Sequence, residues 1–173
     1  MIRRETSLGL GRRADAYAIA GMSRRLIERG LPWSWTPGRV EASLYSRETL
    51  VVVARADAQI AGFGIMRYGD EHAHLDLLGV DPDFRGGGLG RRLLEWLEKP
   101  ALESGIRTVL LEVREENLAA QAFYARLGYR QLMRLSHYYQ GRESAVRMGR
   151  ELGRTVSDAS DFIWSPPGST RET

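Results

Sequence analysis

A chain of 173 residues that is 43% hydrophobic and 27% charged carries enough apolar material for one ordinary core and too much for a disordered segment. It has no cysteine, which excludes disulfides, thiolate metal sites and a cysteine nucleophile, and it has no run of about 18 apolar residues to span a membrane. The net charge of +3 comes from 24 arginines and one lysine, Lys99, against 22 acidic residues; the arginines are scattered from Arg3 to Arg171 rather than gathered on one run, so neither a nucleic acid nor a membrane is expected as partner.

The first residues, Met1 to Arg13, lack the apolar segment of a signal peptide, which together with the missing cysteine fits a cytoplasmic protein. A weak strand is expected at 2–6. Residues 14–31 predict a long helix, with Ala16, Ile19, Ala20, Leu26 and Ile27 at helical spacing, and the segment Pro32 to Gly38 ends it. Residues 39–46 predict a short second helix. Residues 49–56 are β-branched and strand-like, Asp57-Ala58-Gln59 makes a turn, 60–69 returns as the hairpin partner, and 72–80 is a further strand. A helix is predicted over 89–105, with Leu89, Leu93, Leu94, Leu97 and Leu102 on one side and Pro100 kinking it or ending a turn. Residues 106–113 read as a buried strand, and 117–128 as a helix with Asn117 near its cap and Gly128 at its end. Two strands around Gly141 follow, and 153–173 reads as a flexible tail. The pattern is that of an α/β chain: a mixed central sheet of about six or seven strands with helices on both faces, in one domain over 1–152.

Between the strand at 72–80 and the helix at 89–105 stands Arg85-Gly86-Gly87-Gly88-Leu89-Gly90-Arg91. A P-loop would need Gly-Lys-Ser/Thr at its end, and the dinucleotide fingerprint would need a glycine at 91. The physics is nonetheless that of an anion cradle. Glycines let backbone N–H groups approach a phosphate closely, the following helix start adds unpaired donors and a positive dipole end, and Arg85 and Arg91 add charge. A plain tight turn would be served by one or two glycines.

Residues 85–90 fit the pattern Arg/Gln-x-x-Gly-x-Gly/Ala of the GNAT superfamily of N-acetyltransferases. The strand HLDLLGV, the helix RRLLEWL, the strand VLLEV and the segment from Asn117 to Tyr129 resemble that family in the same order. The resemblance covers about residues 1–152 and is strongest over 72–130. Within the superfamily the chain is most similar to bacterial enzymes that acetylate the N-terminal alanine of a ribosomal protein, a likeness extended by Pro32-Trp33-Ser34, Tyr138-Tyr139 and Glu143-x-Ala145. Ser144 departs from that group, which usually has an acidic residue there, and the segment Trp33 to Gly38 and the tail lie outside the shared pattern.

The resemblance implies a site. Acetyl-CoA would be the cosubstrate, with no metal, and its pyrophosphate would lie on Arg85, Gly86, Gly88, Gly90 and Arg91. Its pantetheine arm would pair with the backbone of Leu78 and Val80, in a gap left by a bulge, and would touch Asn117. Gly79, between them, is consistent with a bulge or a close backbone approach. Glu112, the one acidic residue in an apolar strand and near its C-terminal end, would deprotonate the acceptor amine through water; a surface glutamate paired with Arg114 is the alternative. Tyr124 would protonate the departing thiolate; packing beside Phe123 is the alternative. Trp33, Trp35, Tyr138 and Tyr139 would line an acceptor groove or else cap the core. His72, His74 and His137 do not make a metal set. With no cysteine, transfer would be direct, in a ternary complex, to a primary amine such as a protein N-terminus. A small-molecule amine and a non-catalytic acyl-CoA sensor are the rival readings, and a monomer or homodimer is the expected assembly.

Overall fold

Hydrophobic residues recur at both parities along Thr49–Ala56, so this strand is buried on two faces and must lie inside a sheet. The computed structural model, which describes residues 5–139 and 141–153, places it there. Strand β1 (Ser7–Leu10) leads through a 3-10 turn at Arg13–Asp15 into helices α1 (Ala16–Leu26) and α2 (Pro37–Tyr45). Strands β2 (Thr49–Ala56), β3 (Gln59–Tyr68) and β4 (His72–Val80) follow, then helix α3 (Leu89–Glu103), strand β5 (Thr108–Arg114), helix α4 (Leu118–Arg126) and strands β6 (Arg130–Tyr139) and β7 (Glu143–Glu151). The seven strands form one sheet in the order β1-β2-β3-β4-β5-β7-β6. Every neighbouring pair is antiparallel except β4 and β5, which the α3 crossover makes parallel.

The core is split by the sheet. Val51 and Val53 of β2 join Ile19, Ala20 and Val40 of α1 and α2 on one face. Val52 and Ala54 join Leu93, Leu97 and Tyr124 of α3 and α4 on the other. Helix α3 sits close because β3 has glycines beneath it: a Cβ on Gly64 would come within 2.6 Å of Leu97 Cδ1, and one on Gly62 within 3.0 Å of Leu93 Cδ1. That close packing puts the start of α3 beside the end of β4, where the glycine loop lies.

Several expectations are corrected. The first strand is Ser7–Leu10; of the 2–6 segment, residues 2–4 lie outside the described residues, as does the tail from 154 onward. The first helix ends at Leu26 rather than 31. The buried carboxylate of Glu28 accepts hydrogen bonds from Ser23 Oγ, Ser34 N and Trp35 N, so it folds the chain back into a loop instead of extending the helix. Helix α3 runs through Pro100 to Glu103, so the proline, which gives up the N–H that would reach the Trp96 carbonyl, falls in its last turn. Leu102 is 40% exposed, while Glu98 takes the inward position beside Leu94, Leu97 and Ala101.

Candidate active site

Strands β4 and β5 pair over only three residues, His72–Thr108, Ala73–Val109 and His74–Leu110. On its other side β4 pairs with β3 along most of its length, but the register jumps from Ile65–Leu77 to Met66–Leu75 and leaves Asp76 without an opposite residue. The bulge at Asp76 therefore bends β4 away from β5 just where their pairing ends. Leu78 and Val80 lie on the splayed part of β4 and are half-buried. Gly79 is a glycine for another reason than the bulge: a Cβ there would meet the Phe63 ring at 2.8 Å.

The splayed end of β4 runs into the glycine loop, whose glycines have different duties. Gly86 and Gly88 are in the left-handed region (φ +79° each), Gly88 as the N-cap of α3. A Cβ on Gly86, Gly87 or Gly88 would meet no atom within 4 Å, so the space above the loop is open to a ligand. Gly90 serves packing: a Cβ there would stand 3.1 Å from Phe123 Cζ, so its absence lets α4 close on the first turn of α3. Arg85 donates from Nε to the Val80 carbonyl (3.0 Å), and Arg91 pairs with Glu95 (2.7 Å). Open space, positive φ and a helix start with unpaired N–H groups suit a pyrophosphate.

Asn117 is the N-cap of α4, its Oδ1 accepting from Ala120 N at 3.1 Å. Tyr124, on the same helix, is 8% exposed and makes edge-on contacts with Phe123 and Tyr129 (centroids 5.1 and 5.6 Å apart). Among the described residues its hydroxyl has no hydrogen-bond partner. Since no sealed side-chain polar atom there lacks one, the oxygen reaches solvent. Burial, with Tyr139 nearby, pushes this phenol well above its ordinary range, so it stays protonated.

Glu112 faces the opposite side of the sheet. Its neighbours Leu111 and Val113 belong to the α3–α4 core, so the pleat turns Glu112 toward α1. Glu112 and Tyr124 thus lie on opposite faces of the sheet. Arg114 does not pair with Glu112; it donates to the Ile27 carbonyl (2.9 Å) and meets Glu143. Glu112 is instead part of a row of charges that crosses four strands. Arg67 of β3 donates twice to Asp76 of β4 (2.7 and 2.9 Å). The Nδ1 of His74 lies 2.6 Å from Asp76 Oδ1, its Nε2 lies 2.5 Å from Glu112 Oε2, and Arg147 of β7 holds Glu112 Oε1 from Nε (2.9 Å) and from its terminal nitrogen (2.7 Å). Only a doubly protonated ring donates to both carboxylates at once. Burial works against that charge, but hydrogen bonds to Asp76 and Glu112 outweigh it and raise His74 to about 9. Burial alone would raise Glu112; the His74 contact, then Arg147, holds it below the usual carboxylate value. Asp76 is lowered in the same way by His74 and Arg67.

The aromatic candidates separate. Tyr138 and Tyr139 end β6 at an irregularity between Leu135 and Tyr139 in which His137 takes φ +54°, their rings edge to face at 5.0 Å. Tyr138 is 46% exposed and close enough to Glu112, Asp76, Arg67 and Arg147 to feel their charges. Trp33 is half-exposed under the Arg24 guanidinium. Trp35 is buried at 8% in the α1–α2 core, beneath Arg39, so its indole packs and does not line a groove. Sequence reasoning misses His74, Asp76, Arg67 and Arg147 as partners of the site. The signal available is the i, i+2 spacing of His74 and Asp76, which puts both on one strand face and suits an ion pair as well as a metal.

A model of the acetyltransferase (GNAT) family matches residues 22–129. The chain is similar to the ribosomal protein bS18-alanine N-acetyltransferase of Salmonella typhimurium, with 42% identity over 96 residues, 54% of this chain and 65% of that one. The match thus spans slightly less than two thirds of that relative. It is also similar to the N-alpha-acetyltransferase RimI of Mycobacterium tuberculosis, with 34% identity over 152 residues, 85% of this chain and 93% of that one. Among solved structures, that of the ribosomal-protein-S18-alanine N-acetyltransferase from Escherichia coli matches with a TM-score of 0.73 and 28% identity, over 92% of this chain and 100% of that one.

Proposed function

We propose, on the premise that the chain belongs to the acetyltransferase (GNAT) family, that it acetylates the N-terminus of a protein beginning with a small residue, by direct transfer from acetyl-CoA. The single observation that carries the site is the parting of β4 from β5 after His74 and Leu110, which opens a slot leading to a glycine-lined helix start. In this reading the backbone at Gly86 to Gly88 and the first turn of α3 hold the pyrophosphate, and Leu78, Val80 and Asn117 hold the pantetheine arm. When bound, acetyl-CoA supplies the acetyl thioester. Glu112 then takes a proton from the amine, through a water, and Tyr124 gives one to the sulfur from the other face of the sheet. Acid and base thus approach from the two faces of the sheet, so that one serves the amine and the other the sulfur. Trp33, Tyr138 and Tyr139 would flank the incoming chain. The cysteine-free composition supports a cytoplasmic setting, in a single domain over 1–152 that acts as monomer or homodimer. On acceptor chemistry, the support is the naming of the relatives, which are N-terminal acetyltransferases.

Alanine- and serine-initiated peptides are expected to be acetylated faster than the same peptides with blocked N-termini, free lysine or polyamines, with thiol release as the readout. Faster acetylation of polyamines, or equal acetylation of blocked peptides, rejects this acceptor. The cradle has an internal control. Gly88 and Gly105 begin and follow the same helix, both have φ near +80°, and a Cβ on either meets no atom within 4 Å. Alanine at either site therefore carries similar strain, on the order of 1 kcal/mol. Coenzyme A is expected to raise the melting temperature of Gly105→Ala as it does the parent's and to raise that of Gly88→Ala much less. Equal rises in both variants would place the pyrophosphate elsewhere.

A further inference from the structure

Glu112 has two carboxylate oxygens with about two lone pairs each. Oε1 is turned to the Arg147 guanidinium, accepting from Nε at 2.9 Å with a terminal nitrogen 2.7 Å away. One lone pair of Oε2 is taken by His74 at 2.5 Å. Among the described residues Oε2, the oxygen that the imidazole holds, is the one turned away from the guanidinium and so the better place for a proton. His74 is itself fixed from behind by Asp76, and Asp76 by Arg67. His74 is also the last residue of β4 that pairs with β5, so its ring bridges the two strands at the root of the slot.

We propose that His74 is a positioning residue for Glu112: wedged between Asp76 and Oε2, it fixes the oxygen turned away from Arg147 to receive the acceptor's proton and sets the pH range in which that oxygen takes it. The inference rests on the reading of Glu112 as the base. In the step concerned an N–H bond of the acceptor ammonium breaks, its electron pair stays on nitrogen, and the proton passes through a water to Oε2. Among the described residues, the charged and titratable groups that touch the ring or its two carboxylates are Arg67 on β3, Asp76 on β4, Glu112 on β5 and Arg147 on β7, with Tyr138 and Tyr139 of β6 close enough to feel Glu112. Arg114 of β5 and Glu143 of β7 pair with each other. Arg67, raised by its bond to Asp76, remains charged throughout the working range. Among the groups that touch Oε2, His74 is then the one whose charge changes with pH.

The test compares the parent, His74→Asn and Glu112→Gln, with acetyl-CoA and an alanine-initiated peptide as substrates. Two quantities are followed: kcat/KM against pH, and the Glu112 carboxylate titration by carbon-13 NMR. In His74→Asn the buried carboxylate keeps Arg147 but loses the imidazolium. Its titration is expected to move up by about one to three pH units, as for a carboxylate that loses a close cation, and the acid limb of kcat/KM moves with it. A purely structural role would lower the rate and leave both midpoints in place. If Glu112→Gln keeps the parent's kcat/KM, the base assignment itself fails. If Glu112→Gln collapses the rate while both midpoints of His74→Asn stay put, only the role of His74 is overturned. Should His74→Asn not fold, the coupling is read from its other end. The His74 ring titration, followed by nitrogen-15 NMR, is expected to fall in Glu112→Gln, and an unchanged midpoint overturns the proposal.

Discussion

Tyr124→Phe is expected to lower kcat by about 10²–10⁴-fold, the usual worth of a general acid in a rate-limiting step, and to leave stability and coenzyme A binding close to the parent's. The ring carries the packing, through its edge contacts with Phe123 and Tyr129, and phenylalanine keeps the ring. The hydroxyl has no partner among the described residues, so its removal strands no donor or acceptor. Burial raises the phenol, which makes it a weaker acid in isolation, but the same low-dielectric surroundings penalise a thiolate lying beside it. Both groups move in one direction, and the proton transfer keeps its driving force. Tyr129→Phe is the control. Its hydroxyl donates to the buried Glu98 at 2.6 Å, so that variant should lose about 1–3 kcal/mol of stability and keep its rate. A Tyr124→Phe enzyme with the parent's kcat, under conditions where chemistry limits turnover, would remove the acid assignment.

What was legible in the sequence was what is local. The strands at 49–56 and 72–80 match their observed bounds because a β-branched run in the first, alternation in the second and flanking turn residues all act over a few positions. The glycine loop was legible because positive φ and close approach leave few residue choices. The errors sit where distant partners decide. Glu98 occupies an inward position of α3 because Tyr129 and Arg150 satisfy it from 31 and 52 residues away, and Leu102 is left at the surface. The long first helix fails because Glu28 captures the backbone of Ser34 and Trp35. Glu112 was legible as an odd charge in an apolar strand. Its partners were not, since His74 and Arg147 become its neighbours only through the sheet order β4-β5-β7.

That sheet order also makes stability depend on pH in a way that can be signed. The His74 ring sits at about 9 in the folded protein, above its ordinary 6.5. A raised value means that the folded state binds the proton more tightly, so this contribution is complete below 6.5 and fades as pH rises through 9. Asp76 and Glu112 are lowered, so their contributions are present above their ordinary 3.8 and 4.5 and fade as acid titrates the folded carboxylates. The whole row is therefore strongest between the ordinary carboxylate and histidine values, in mildly acid solution. A tenfold tighter hold on a proton is worth about 1.4 kcal/mol, so the histidine part amounts to roughly 3 kcal/mol; the side chain is 23% exposed, so screening removes little of it. The parent is expected to lose about that much unfolding free energy between pH 6 and pH 9.5, measured by urea denaturation. His74→Asn should be weaker than the parent at pH 6 by a similar amount and should change far less on going to pH 9.5, so that the two curves converge in alkali. Parallel curves, with the same gap at both pH values, would mean that His74 is not held as an imidazolium between its two carboxylates.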